Sequence, residues 1–215
     1  RYRHRNEGAY TSYSEPGRQI ARYALRDGRT AFFFCWTDKG EPAPRHHDIA
    51  AERAALRKAF DGAGWEWPEI ETGIDSADDL YLDSVSQVKA PAWSKGRVAL
   101  LGDAACCPSL LAGQGAAFAM AGAYLLAGEL AKSGGVYSAA YARYEEIFRP
   151  FVEKKQLGAV NFAEQFAPKT ALSLWLRNLS TRLLAIPLIG QWLMHGMVGD
   201  DLPVPNYRQY ERVMA

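Results

Sequence analysis

Apolar and polar positions alternate through residues 18–37 and predict a β-hairpin. Residues 18–26 form one strand, Asp27-Gly28 a type I′ turn, and residues 29–37 the second strand. In the second strand Phe32, Phe34 and Trp36 share one face, while Phe33 and Cys35 point to the other. Apolar residues on both faces imply either a core on one side with a ligand or second domain on the other, or a sheet covered by helices. Asp48 is placed to cap a helix running to about Ala63, with Leu56 and Phe60 one turn apart and Gly62-Ala63-Gly64 ending it. Residues 80–88 pattern as a strand that crosses back through Ala90-Pro91. The short run Val98 to Leu101 suits a strand buried on both faces of a parallel sheet.

The remainder patterns as helix. Residues 116–132 are rich in Ala and Gly, which permits close packing on a sheet, and Ser133-Gly134-Gly135 forms a stop. Tyr137, Tyr141, Tyr144 and Phe148 make a helical aromatic stripe of the kind that fills cores, and Pro150 is expected to kink or restart that helix. Pro168 precedes an apolar segment, residues 171–193. It is nearly long enough to span a bilayer but is interrupted by Arg177, Asn178, Arg182 and Pro187, so stable membrane insertion is not expected.

The densest chemical signal lies between Gly96 and Leu130, GRVALLGDAACCPSLLAGQGAAFAMAGAYLLAGEL. Gly102-Asp103 ends the apolar run, which puts a carboxylate at the carboxyl end of a strand, where open α/β sheets bind ligands. Ten residues beyond Asp103, Gly113-Gln114-Gly115 opens a helix whose free amides and positive dipole end face the same region. A carboxylate accepts hydrogen bonds and so suits hydroxyl groups, whereas a helix N-terminus suits an anion or a carbonyl gaining negative charge. Glycine at 113 and 115 allows backbone to approach a ligand with no β-carbon between. A sugar-like chain joined to an electron-accepting ring satisfies both ends.

The string Gly102-Asp103-Ala104-Ala105 followed at this distance by Gly113-Gln114-Gly115 resembles the second flavin-binding motif of the FAD-dependent aromatic hydroxylases, the para-hydroxybenzoate hydroxylase class of monooxygenases. The likeness extends back through LYLDSVSQVKAPAWSKGRVALLGDAA and forward through AGAYLLAGEL and YARYEEIFRPFVEKKQ. The resemblance implies an α/β (α+β) fold: part of an FAD/NAD(P)-binding Rossmann-like domain, part of a β-sheet substrate domain, and C-terminal helices. Residues 1–90 would belong to the substrate domain, 91–135 to the second flavin-binding segment, and 136–215 to a C-terminal helical region. It also implies FAD as cofactor, with Gly102, Asp103, Leu110, Gly113, Gln114, Gly115 and Ala116 as its contacts. Asp103 would serve the ribityl hydroxyls, and the Gly113–Ala116 amides the pyrimidine edge of the flavin ring. NAD(P)H would be co-substrate, and Phe32, Phe34 and Trp36 would roof a substrate pocket. Two positions depart from the family. Cys106 stands where His or an aromatic is usual, and Leu110 stands where a proline packs near the ring, with Pro108 two residues earlier.

No GxGxxG occurs in the 215 residues, so the chain is expected to be the C-terminal part of such an enzyme, inactive without a GxGxxG half. Twenty-five basic residues balance 24 acidic ones, which leaves no surplus to neutralise a nucleic acid. The arginines at 1, 3, 5, 18, 22, 26 and 29 are expected on solvated strand faces and the terminus. His46-His47 share no face and have no third ligand nearby, so no metal is expected. Three cysteines, two of them adjacent, form no disulfide framework and fit a reducing cytoplasm. No nucleophile constellation is present, which suits chemistry carried by a cofactor, and no catalytic acid or base is assigned. The leading reading is part of a flavin monooxygenase acting on an aromatic or polyketide-like molecule. The alternatives are a non-catalytic remnant or interaction module, or a flavin-dependent double-bond reductase.

Overall fold

The computed structural model describes residues 2, 8–37, 40, 44, 48–77, 79–184, 202, 204–208 and 210. Arg1, Arg3, Arg5, His46, His47 and the segment beyond Leu184 that contains Pro187 lie outside them. The chain forms two compact units, Arg1–Ser84 with Glu164–Gly190 and Val85–Ala163 with Gln191–Ala215.

The first unit is built on an antiparallel meander of β1 (Thr11–Glu15), β2 (Arg18–Ala24) and β3 (Thr30–Trp36), with Tyr13 opposite Ile20 and Ile20 opposite Phe34. β1 was not anticipated, because its TSYSE sequence has too few apolar residues to alternate. The β2–β3 loop also differs from the expected type I′ turn. Gly28 has φ +74° while Asp27 keeps a negative φ, and the Gly28 N–H donates to the Leu25 carbonyl (3.3 Å). This is a type I turn closed by a left-handed glycine, the three-residue hairpin solution.

One sheet face carries Ile20, Phe32, Phe34 and Trp36 onto α1 (Ile49–Phe60) and α2 (Trp67–Gly73), where Leu56, Phe60, Trp67, Ile70 and Ile74 complete a core. Asp48 caps α1 by accepting from the Ala51 N–H at 3.0 Å. Arg22 departs from the solvated face expected of it. It is buried, pairs with Glu66 at 3.1 Å, and lies over the Trp65 ring at 5.3 Å. The core-facing side of β2 supplies apolar neighbours, so the guanidinium is retained there through a carboxylate and an aromatic face. On the opposite face Gln19 and Ala21 are buried, Phe33 meets Phe166 edge-on, and Arg177 of α6 (Ala171–Leu184) donates to the Gln19 side-chain oxygen at 3.3 Å.

The second unit holds a two-stranded antiparallel ribbon, β4 (Ser94–Lys95) with β5 (Val98–Ala99), then α3 (Asp103–Cys106), α4 (Gly115–Lys132) and α5 (Tyr137–Phe166). The fold is mixed α and β, as expected, but two strand assignments differ. Residues 80–88 form no strand, and their C-terminal end is held through Gln87 and the Val88 backbone. The run from Val98 is no buried parallel strand: Val98 is 65% exposed, and among the described residues only β4 pairs with it. An apolar run records the demand for burial, and the partner strands must come from elsewhere in the polypeptide.

The core of this unit is Trp93, Ala105, Cys106, Phe118, Leu125, Tyr144, Phe148, Val152 and Tyr207. Tyr144 and Phe148 of the aromatic stripe are buried here, while Tyr137 is exposed. Pro150 sits inside an unbroken α5, at the cost of one backbone hydrogen bond in that turn. α4 ends as expected: the Ser133 N–H donates to the Glu129 carbonyl and the Gly135 N–H to Leu130. Among the described residues no helix is long and apolar enough to cross a membrane.

Candidate functional site

β5 leads through Leu101 into Gly102, whose φ of +59° and ψ of −137° are open to glycine alone. A β-carbon there would also stand 3.2 Å from the Ala119 β-carbon on α4. This turn starts α3, whose first residue is Asp103. Its side chain is exposed and accepts no hydrogen bond from any described residue.

The chain then passes through Cys107 and Pro108 into a single 3-10 turn, Leu110–Ala112, and closes on Gly113 with φ +64° and ψ +11°. The Gly113 N–H is spent on the Leu110 carbonyl (3.1 Å). Gln114 is the N-cap of α4, but its side chain makes no capping bond, so the first-turn amides have no side-chain acceptor. Gly115 is the first helical residue. A β-carbon on it would stand 3.4 Å from Asp103 Oδ1.

The fold therefore brings Asp103 and Gly115 together, with Gly102 preceding Asp103 and Gly113, Gln114 and Ala116 flanking Gly115 along the chain. Leu110 points outward at 71% exposure, whereas its neighbour Leu111 is buried. Phe32, Phe34 and Trp36 belong to the other compact unit. Their rings are committed to the core over α1 and α2, with Phe34 and Trp36 edge-on to Phe60 at 5.3 and 5.9 Å. Of the two readings of that sheet, covering by helices is the one found.

Cys106 is buried under the loop, with its thiol 3.5 Å from the Gly102 carbonyl. Burial, with the Asp103 charge second, pushes its pKa up to about 11, so the thiol stays protonated and packs. All three cysteines are free. Among the described residues no group of three or more His, Cys, Asp or Glu could hold a metal ion.

Four residues that sequence reasoning missed shape this loop. Buried Gln156 of α5 donates from Nε2 to the carbonyls of Val88 (2.8 Å) and Cys107 (3.1 Å). Gln87 donates from Nε2 to the Pro108 carbonyl (2.9 Å) and to the backbone carbonyl of Gln156 (2.8 Å). The Val88 N–H completes the clamp on Cys107 at 3.1 Å. Ser109, next along, is buried at φ +107° and ψ +153°. Nothing local signals this clamp, because Gln156 lies 49 residues from Cys107 and 68 from Val88.

The exposed surface of this unit is unusually apolar around the site. Val98, Leu101, Leu110, Met120 and Tyr124 are all exposed, and α4 is apolar nearly all round, a pattern that in helices signals burial on both sides.

Comparisons with known proteins agree on one class. No protein-family profile matches the chain. A flavin-dependent monooxygenase from an unknown prokaryotic organism is 45% identical over 122 residues, covering 57% of this chain and 31% of that protein. The solved tetracycline destructase Tet(55) is 33% identical with a TM-score of 0.74, over 92% of this chain and 50% of its own. Klebsiella pneumoniae HpxO, solved with FAD and uric acid, is 25% identical with a TM-score of 0.59, over 79% and 44%. The chain thus spans about a third of the length of the curated relative and half of the solved ones.

Proposed function

We propose that the chain is the C-terminal portion of a monooxygenase of the FAD-dependent aromatic hydroxylase class and that it supplies the flavin-ring end of the cofactor site. The observation that carries this is the meeting of Asp103 with the uncapped start of α4, across a gap in which Gly115 has no side chain. The residues present fit the cofactor. An unpaired carboxylate suits ribityl hydroxyls, and free first-turn amides suit a ring carbonyl. Gly102, Gly113, Gln114, Gly115 and Ala116 form the cradle, with Leu110 at its edge.

FAD held by Asp103 and the start of α4 would supply the redox and oxygen chemistry, with NAD(P)H as reductant and an aromatic or polyketide-like molecule as substrate. The chain's own part is to bind and orient. Asp103 holds the polar tail, the α4 amides stabilise negative charge on the ring side, and the buried Cys106 thiol keeps the floor of the loop apolar. In this reading residues 1–90 contribute to the substrate domain, 91–135 to the flavin site and 136–215 to the helices around them. A dinucleotide-binding GxGxxG half covers the exposed apolar faces of β5 and α4. Three free cysteines fit a reducing, cytoplasmic setting.

The test is the absorption spectrum of the protein expressed with a GxGxxG half, together with NAD(P)H and oxygen consumption. A yellow protein consuming both supports the proposal. A protein that stays colourless when FAD is added overturns it and favours a non-catalytic remnant or interaction module.

A further inference from the structure

The loop between Asp103 and Gly115 has its own internal bonds but is hydrogen-bonded to the rest of its unit at one place. The Cys107 N–H donates to the Asp103 carbonyl (3.3 Å), the Ala112 N–H to that of Ser109 (3.2 Å) and the Gly113 N–H to that of Leu110 (3.1 Å). Among the described residues, every hydrogen bond that ties residues 107–113 to a distant segment comes from Gln87, Val88 or Gln156.

The two glutamines grip in the same way. A carboxamide nitrogen carries two hydrogens, and both residues use both. Gln156 Nε2 donates to the Cys107 and Val88 carbonyls, and Gln87 Nε2 to the Pro108 and Gln156 carbonyls, all at 2.8–3.1 Å. These bonds join residues 87–88, the loop and α5 into one network. Gln156 is only 3% exposed, so water hardly competes for its donors.

The place of the grip matters for the site. Cys107 is held at its carbonyl and itself holds the Asp103 carbonyl through its N–H, so one residue separates the clamp from the backbone of Asp103. On the other side Pro108 is held at its carbonyl, and the turn Leu110–Ala112 then delivers the chain to Gly113 and the start of α4. The gap between Asp103 Oδ1 and Gly115 is therefore spanned by a loop fixed at its middle by two side chains from elsewhere.

We propose that Gln87 and Gln156 are positioning residues of the cofactor site: by holding the Pro108 and Cys107 carbonyls they keep Asp103 and the start of α4 at the separation that FAD requires. This rests on the flavin reading given above, and neither side chain touches the cofactor in it. A carboxylate and helix amides set in place beforehand bind with less loss of freedom than a loop the ligand must order. A loosened loop thus binds FAD more weakly even in a folded chain.

The test replaces each glutamine by methionine, which is similar in volume and has no donor. It reads the thermal midpoint of the 215-residue chain and, well below that midpoint, FAD affinity by flavin fluorescence titration. Gln156→Met and Gln87→Met are each expected to lower FAD affinity by about tenfold, the equivalent of one hydrogen bond, and to speed amide exchange at Ala112 and Gly113. Gln87 is only half-buried, so its variant carries the test if Gln156→Met fails to fold. Gly128→Ala separates position from stability. It crowds Tyr207 about 20 Å along α4 from Gly115, so it is expected to lower the midpoint and bind FAD like the parent. If it loses affinity as the glutamine variants do, the effect follows stability and the proposal is overturned. Glutamine variants that bind like the parent while Asp103→Ala binds weakly overturn it as well. If the parent does not bind FAD, or Asp103→Ala binds it unchanged, the flavin reading itself fails and the inference falls with it.

Discussion

Asp103 Oδ1 lies 3.4 Å from the position a β-carbon would take on Gly115, so the acidic turn and the start of α4 meet across a gap kept open by one missing side chain. The distance is ordinary van der Waals contact, which the smallest side chain could enter and a branched one could not. This contact turns two motifs twelve positions apart into one site.

Removing the carboxylate tests one side of the gap. Asp103→Ala should leave the fold intact, because the side chain is exposed and holds no described partner. Its loss should weaken FAD binding by at least tenfold, since each charge-assisted hydrogen bond contributes about 1.5–3 kcal/mol. Flavin fluorescence titration reads the change, and an unaltered affinity rules out the assignment to the ribityl hydroxyls.

Filling the gap tests the other side. Gly115→Val puts branched carbon beside Asp103 Oδ1 and over the first-turn amides of α4. Helix N-termini tolerate valine with a penalty below about 1 kcal/mol, so the thermal midpoint should move little. FAD affinity should fall sharply. A variant with normal flavin content would show that the helix start does not face the ring.

Gln156→Leu probes the clamp. The Cys107 carbonyl keeps the Val88 N–H, but the Val88 carbonyl loses the only donor described for it. Val88 is exposed and the bond is part-buried, so its loss costs about 0.5–1.5 kcal/mol, and for a chain of this size each kcal/mol lowers the midpoint by about 2–4 °C. Amide exchange at Val88 should accelerate with it. Unchanged stability and exchange would mean that the loop is held by other contacts.

Gly128→Ala should be costly far from the flavin loop. A β-carbon there would collide with the Tyr207 ring, whose hydroxyl donates to buried Glu129 at 2.7 Å. Displacing the ring removes that hydrogen bond and leaves Glu129 only its ion pair with Lys132 at 3.7 Å, and overpacking alone costs about 1–3 kcal/mol. Calorimetry that finds the variant as stable as the parent would contradict the packing of Tyr207 on α4.

The Cys106 thiol predicts a pH dependence. Burial, with Asp103 nearby, raises its folded pKa to about 11 from an ordinary 9, so the folded chain binds this proton more tightly than the unfolded one. Its contribution to stability is complete below pH 9 and is lost as pH rises toward 11. Stability measured across that window should fall less steeply in Cys106→Ala. Identical slopes in the two proteins would show that the thiol is not the group responsible.

Local patterning determined much of this protein. The hairpin of β2 and β3, the Asp48 cap, the glycine stop after α4 and the GD…GQG string were legible because each depends on residues within a few positions of one another. The packing of Phe34 and Trp36 on Phe60 was not legible. Alternation tells which side chains share a face and says nothing of what covers it. The same limit explains Arg22, whose burial depends on Glu66 and Trp65 more than 40 residues away. The run at Val98 displayed its demand for burial in sequence, but only the tertiary structure showed that β4 alone pairs with it among the described residues. Ser109 is the sharpest case. Its strain arises from carbonyls gripped by Gln87 and Gln156, side chains that chain topology brings to the loop, and no property of the Pro-Ser-Leu sequence encodes that grip.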